Sequence, residues 1–117
     1  MEKLFDAEWR LMEIIWEFEP ISAKELSVIA TERFAWNKNT TYTVIKRLIE
    51  KEVIKRTEPG FTCSASLKRD EIRKAETNTL IDKLYGGSKQ AFFAAFADEQ
   101  LSFEEIATLK ALIEKKK

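Results

Sequence analysis

The chain has no histidine, one cysteine, three glycines and two prolines among its 117 residues. Without histidine there is no imidazole base, no Ser-His-Asp triad and no Cys/His zinc cluster. The lone Cys63 has no partner for a disulfide within the chain. Two of the three glycines are adjacent, at Gly86-Gly87, so no glycine-rich phosphate loop can be written. No apolar run approaches the roughly 18 residues of a membrane span. The opening MEKLFDAEWR lacks the pattern of a signal peptide, so the cytoplasm is the expected compartment and direct membrane binding is not expected. Catalysis would have to rest on carboxylates and lysines alone, and no paired-carboxylate pocket stands out. The expectation is therefore a protein that is not an enzyme and takes no metal or cofactor.

What is present fits a folded domain. Charged residues make up 34% and hydrophobic ones 44% of the chain, a balance typical of globular proteins. The length suits one domain, or one small domain with an appendage. Formal net charge is zero, but the charges are unevenly placed: residues 1–35 carry four basic and eight acidic side chains. Residues 36–56 carry six basic ones (Lys38, Lys46, Arg47, Lys51, Lys55, Arg56) against Glu50 and Glu52. Such a block is a modest footprint for a polyanion, and charge alone fits a solvated face equally well.

Helical periodicity and caps divide the chain. Asp6 reads as an N-cap before Trp9, Met12, Ile15 and Trp16, and Pro20 ends that helix. Ser22 and Glu25 form a capping box for a second helix, with Leu26, Ile29 and Ala30 inward. Asn37 caps a third, running to about Lys51. VIKRTEPGFTCSASL then reads as two short strands joined by a turn at Glu58-Pro59-Gly60. Three helices and a β-hairpin make a helix-turn-helix with a wing.

The third helix, within AWNKNTTYTVIKRL, is rich in Asn and Thr, which are modest helix formers. At about 100° per residue, Thr41, Val44, Ile45 and Leu48 share one face and form its buried stripe. Asn39, Thr43, Lys46 and Glu50 lie opposite, flanked by Tyr42 and Arg47, with Thr40 at the N-terminal edge. One reading is that these polar residues only cap and decorate an ordinary helix. The other, favoured by the preceding helix and following hairpin, is readout of a DNA major groove. Asn can pair with adenine, Thr offers a hydroxyl and a methyl for thymine, and Lys or Arg reaches guanine or phosphate.

From Arg69 the pattern is helical again, with Ile72, Leu80, Ile81 and Leu84, and stops at Gly86-Gly87. SKQAFFAAFADE reads as a short apolar helix, and the capping box of Ser102 and Glu105 opens a last one with Ile106, Leu109, Leu112 and Ile113. This tail is too small to build a good core alone. Its apolar residues must pack on the first domain or on a second copy of the chain, and the second is favoured.

Three stretches in order, DAEWRLMEIIW, NTTYTVIKRLIEK and YGGSKQAFFAAFADEQLSFEEIATLKALIEK, resemble the penicillinase-repressor family of winged-helix transcriptional regulators (the BlaI/MecI/CopY group). The fold expected is mainly α with a small β-hairpin wing: a winged helix-turn-helix DNA-binding domain over 1–69 and a helical dimerisation domain over 70–117. The resemblance implies a homodimeric repressor on double-stranded, dyad-symmetric operator DNA. Asn39, Thr40 and Thr43 fall where the family contacts bases, and Arg47 where it carries an arginine near the backbone. Combined with the helix projection, the expected base-reading set is Asn39, Thr40, Tyr42, Thr43 and Lys46. The expected phosphate-binding set is Lys38, Arg47, Lys55 and Arg56. The dimerisation set is Leu80, Leu84, Phe92, Phe93, Phe96, Ile106, Leu109 and Leu112. The other class of function weighed is a winged-helix adaptor for proteins, which would call for an apolar exterior on the third helix.

Departures from the family pattern carry expectations too. Glu52 replaces the glycine that usually closes the recognition helix. A side chain in a left-handed cap costs about 1 kcal/mol, so a differently built turn is expected. The wing sequence FTCSAS lacks the arginine and tyrosines common there, which leaves Lys55 and Arg56 for phosphate. Asn39 replaces a lysine of the β-lactam-responsive members, implying a different operator. Those members are cleaved at an Asn-Phe bond in the short apolar helix, matched here by Ala95-Phe96; the change argues against the same cut. The resemblance still makes a membrane sensor-protease, or another regulatory protease, a candidate partner. The cysteine cluster of the copper-responsive branch is absent.

Overall fold

A computed structural model describes residues 3–116. In order the elements are α1 (Asp6–Phe18), β1 (Ile21–Ser22), α2 (Ala23–Phe34), α3 (Lys38–Glu50), β2 (Ile54–Thr57), β3 (Thr62–Ala65), α4 (Arg69–Tyr85), α5 (Lys89–Gln100) and α6 (Phe103–Lys115). Two compact units result, the first ending at Ala75 and the second beginning at Glu76, within α4.

In the first unit α3 packs against both α1 and α2. Its predicted inner stripe is dry: Thr41, Val44, Ile45 and Leu48 are all buried. They meet Leu11, Met12, Ile14 and Ile15 of α1 and Leu26 and Ala30 of α2 in a single core. The start of α1 differs from the sequence expectation. Its N-cap is Phe5, and Asp6 is the first helical residue. A phenylalanine side chain cannot cap, so the Glu8 carboxylate reaches back and accepts from the Phe5 N–H at 2.7 Å.

Glu8 is completely buried, on the α1 face that also carries Leu11, Met12 and Ile15. Its Oε1 accepts from Lys51 Nζ at 2.7 Å, just past the end of α3. The same ammonium donates to the Lys3 carbonyl at 2.8 Å and lies 4.5 Å from the centre of the Phe5 ring. The pair thus ties the start of α1 to the end of α3.

The α2–α3 turn is set by local chemistry. Ser22 accepts from the Glu25 N–H at 3.1 Å to open α2. Ala35 closes it in left-handed backbone at φ +59°, and Thr31 Oγ1 donates to the Trp36 carbonyl at 2.7 Å. Asn37 Oδ1 accepts from the Thr40 N–H at 2.8 Å and opens α3. At the far end Glu52 keeps the left-handed conformation, φ +62°. The turn is therefore built in the glycine-like manner with a glutamate in it, contrary to the expectation of a different construction. The Glu52 N–H donates to the Ile49 carbonyl and the Val53 N–H to that of Leu48, both at 3.0 Å, and the buried Val53 holds the exit in place.

The wing is wider than a hairpin. The two-residue β1 adds to β3, giving an antiparallel sheet of order β1-β3-β2 with Ile21 opposite Cys63 and Arg56 opposite Cys63 on the other side. Glu19 extends this edge by accepting from the Ala65 N–H at 2.9 Å. Beyond β3, the Trp16 indole donates to the Leu67 carbonyl at 3.0 Å, and Arg69 pairs with Glu13 at 2.6 Å, so the first turn of α4 is held against α1.

The second unit has well-formed ends but little interior. Gly86 and Gly87 take positive φ and terminate α4. Ser88 caps α5, and Ser102 with Glu105 makes the expected reciprocal capping box on α6. No residue of α5 or α6 is buried. Among the described residues, no helix is long and apolar enough to cross a membrane.

Replacing Lys51 by methionine should strand the buried Glu8 carboxylate. Stability in urea should fall by about 3 kcal/mol, the usual cost of orphaning one member of a buried pair, with native helicity retained in circular dichroism before the transition.

Candidate nucleic-acid interface

With the α3 stripe buried, Asn39, Thr40, Thr43, Lys46 and Arg47 are all exposed, as the helix projection required. Thr43 Oγ1 donates back to the Asn39 carbonyl at 2.9 Å, which leaves its oxygen lone pairs and methyl outward. The side chains of Asn39, Lys46 and Arg47 have no hydrogen-bond or ion-pair partner among the described residues. A helix face of short polar groups and unengaged cations beside a wing can meet base edges and phosphates together.

Tyr42 is different. It is half-buried, with its ring 5.9 Å from that of Phe61 in the wing turn in an edge-on contact. Lys38 Nζ stands 5.7 Å from the Tyr42 ring centre. Tyr42 therefore joins α3 to the wing, and its margin alone faces out.

The basic block is smaller in space than in sequence. Lys51 is consumed by Glu8 inside the domain. Arg56 Nε donates to Glu58 Oε1 at 2.5 Å, and its guanidinium lies 3.8 Å from the Phe61 ring centre. The other Glu58 oxygen accepts from the Phe61 N–H at 3.2 Å. These two contacts, the Phe61 N–H first and Arg56 second, hold the Glu58 carboxyl below its ordinary value. Lys38, Lys46, Arg47 and Lys55 remain exposed. Cys63, in the central strand β3, is buried, and burial pushes its thiol up, away from a reactive thiolate. No cluster of three metal-binding side chains occurs among the described residues.

Sequence reasoning passed over Glu58 and Phe61. Glu58 looked like a turn residue, and only the fold of the turn brings it onto Arg56. Phe61 looked like a strand start, yet it takes φ +47° and touches α3. Glu8 carries a sequence signal of its own, since positions 8, 11, 12 and 15 share one helical face.

A family model described as "Penicillinase repressor" matches residues 4–115. The chain belongs to the penicillinase repressor family. Within it, the Staphylococcus aureus penicillinase repressor is 36% identical over 110 residues, covering 92% of this chain and 87% of that one. The methicillin resistance regulatory protein MecI of Mammaliicoccus sciuri is 28% identical over 117 residues, covering 97% and 95%. Among solved structures, the DNA-binding domain of the repressor BlaI superposes with a TM-score of 0.55 at 25% identity, over 61% of this chain and 93% of that one. The winged helix is thus the fold of the family, and the family is one of transcriptional repressors rather than enzymes.

The Glu58 contact gives a pH dependence with a definite sign. A carboxyl held below its ordinary value keeps its contacts above that value and loses them as pH falls through the lowered one. A carbon-detected NMR titration should find the Glu58 midpoint below the ordinary glutamate value, and Arg56→Ala should move it upward.

Proposed function

We propose that the protein is a sequence-specific repressor that binds a dyad-symmetric DNA operator as a homodimer. The observation that carries this is the outer face of α3, where Asn39, Thr40, Thr43 and Lys46 stand exposed on a helix whose opposite face is locked into the core. In this reading those four, with the margin of Tyr42, meet base edges in the major groove. Lys38, Arg47 and Lys55 meet phosphates on either side.

The homodimer rests on the second unit considered by itself. Leu80, Leu84, Phe93, Phe96, Ile106 and Leu112 are exposed in the single chain, and Phe103 is 92% exposed. Phe92 stacks on Phe96 at 5.8 Å and meets Tyr85 edge-on at 5.6 Å, and Phe96 still stays exposed. So much aromatic and aliphatic surface on about forty residues favours burial against a copy of itself. A regulatory protease, membrane-bound or otherwise, is the partner proposed for inactivation. The Ala95–Phe96 bond lies inside α5, so its cleavage would need that helix to open locally.

In a gel-shift titration, DNA from around the protein's own gene should contain a palindrome bound about a thousandfold more tightly than scrambled DNA at moderate salt. Equal affinity for both would overturn the reading. Arg47→Ala should weaken binding to all sequences and flatten the salt slope by about one unit.

Leu109→Asp or Phe96→Asp should give monomers in sedimentation velocity and abolish cooperative binding to the full site. Monomers that bind the full site normally would refute the dimer.

A further inference from the structure

In the wing turn the Glu58 carboxylate is held by two donors of the same hairpin. Between β2 and β3, Gly60 and Phe61 take left-handed backbone at φ +86° and +47°. The bend turns the Phe61 N–H onto Glu58 Oε2 at 3.2 Å while Arg56 Nε donates to Oε1 at 2.5 Å. A carboxylate is thus held by a guanidinium and a backbone N–H, donors that a phosphate oxygen accepts equally well.

These donors are positioned by more than Glu58. The Arg56 guanidinium rests on the Phe61 ring, 3.8 Å from its centre. That ring is braced edge-on by Tyr42 of α3 at 5.9 Å. The Phe61 carbonyl accepts from the Ala23 N–H at the start of α2 at 2.9 Å. Left-handed backbone is strained for phenylalanine, and strain of this kind persists only where several neighbours enforce it. Removing the Glu58 carboxylate would leave the guanidinium on its aromatic platform. The side chains of Arg56 and Glu58 are 48% and 58% exposed, so an anion can approach from solvent.

We propose that this turn is a phosphodiester site in which Glu58 is an intramolecular competitor: a DNA backbone phosphate displaces the carboxylate from Arg56 and the Phe61 N–H. The inference rests on the DNA-binding reading above. Glu58 lowers the wing's affinity for any phosphate backbone, and so sets how tightly the protein holds DNA irrespective of sequence. Phe61 is the positioning residue, acting through Arg56.

The test is fluorescence anisotropy of the full chain on a labelled random-sequence duplex across a salt series. Glu58→Gln should bind roughly three- to tenfold more tightly near physiological salt, with a slope steeper by about one unit. The gain should vanish in an Arg56→Ala background and with Phe61→Leu, and survive with Phe61→Tyr, which keeps the platform. Circular dichroism on each variant checks that the wild-type fold is retained. If the wild type binds the duplex and Glu58→Gln matches it in affinity and slope, the proposal is overturned, as it is if the gain persists without Arg56. If the wild type binds neither this duplex nor its own promoter DNA, the repressor reading fails as well, a result distinct from the other two.

Discussion

The seam formed by Thr41, Val44, Ile45 and Leu48 against α1 and α2 is the contact on which the candidate interface depends. A helix turns about 100° per residue, so burying one stripe dictates which side chains face outward. Full burial of each aliphatic member contributes on the order of 1.5–3 kcal/mol, enough to override the weak helix propensity of the Asn- and Thr-rich sequence around it. Both ends are secured separately, by the Asn37 cap at one and by Lys51 reaching the buried Glu8 at the other. Rotating α3 to expose a different face would break all of these at once.

Phe61 holds a similar place in the wing. It links three elements that are distant in sequence: α2 through its carbonyl, α3 through Tyr42, and β2 through Arg56. The two-residue β1 adds a third strand, and Glu19, just past α1, accepts from the Ala65 N–H of β3. Wing and recognition helix are therefore one packed assembly. The charge available to a polyanion is decided within it, because Lys51 is withdrawn onto the buried Glu8 and Arg56 is shared with Glu58, while Lys46 and Arg47 have no such partner among the described residues. The second unit follows the opposite logic: its helices are well capped, yet their apolar side chains find too few neighbours within one chain.

The sequence alone determined whatever depends on neighbours a few residues away. Periodicity located all six helices, and the caps at Ser22, Asn37 and Ser102 are where the composition put them. The inner and outer faces of α3 followed from the same arithmetic. The Gly86-Gly87 stop was equally local. Asp6 misled because a neighbouring phenylalanine left the capping to a carboxylate one turn on.

Only tertiary structure decided the rest, because it depends on contacts between remote segments. A two-residue strand has no periodicity and exists only by pairing with β3. Glu52 keeps a left-handed turn because the buried Val53 behind it fixes the path. No local pattern marks Lys51 as the partner of a residue 43 positions earlier. Nor does any local pattern separate Lys51, paired with the buried Glu8, from Lys46, which is left exposed. Charge is written in the sequence, but whether a charge is spent inside the protein or offered to a partner is settled by the fold.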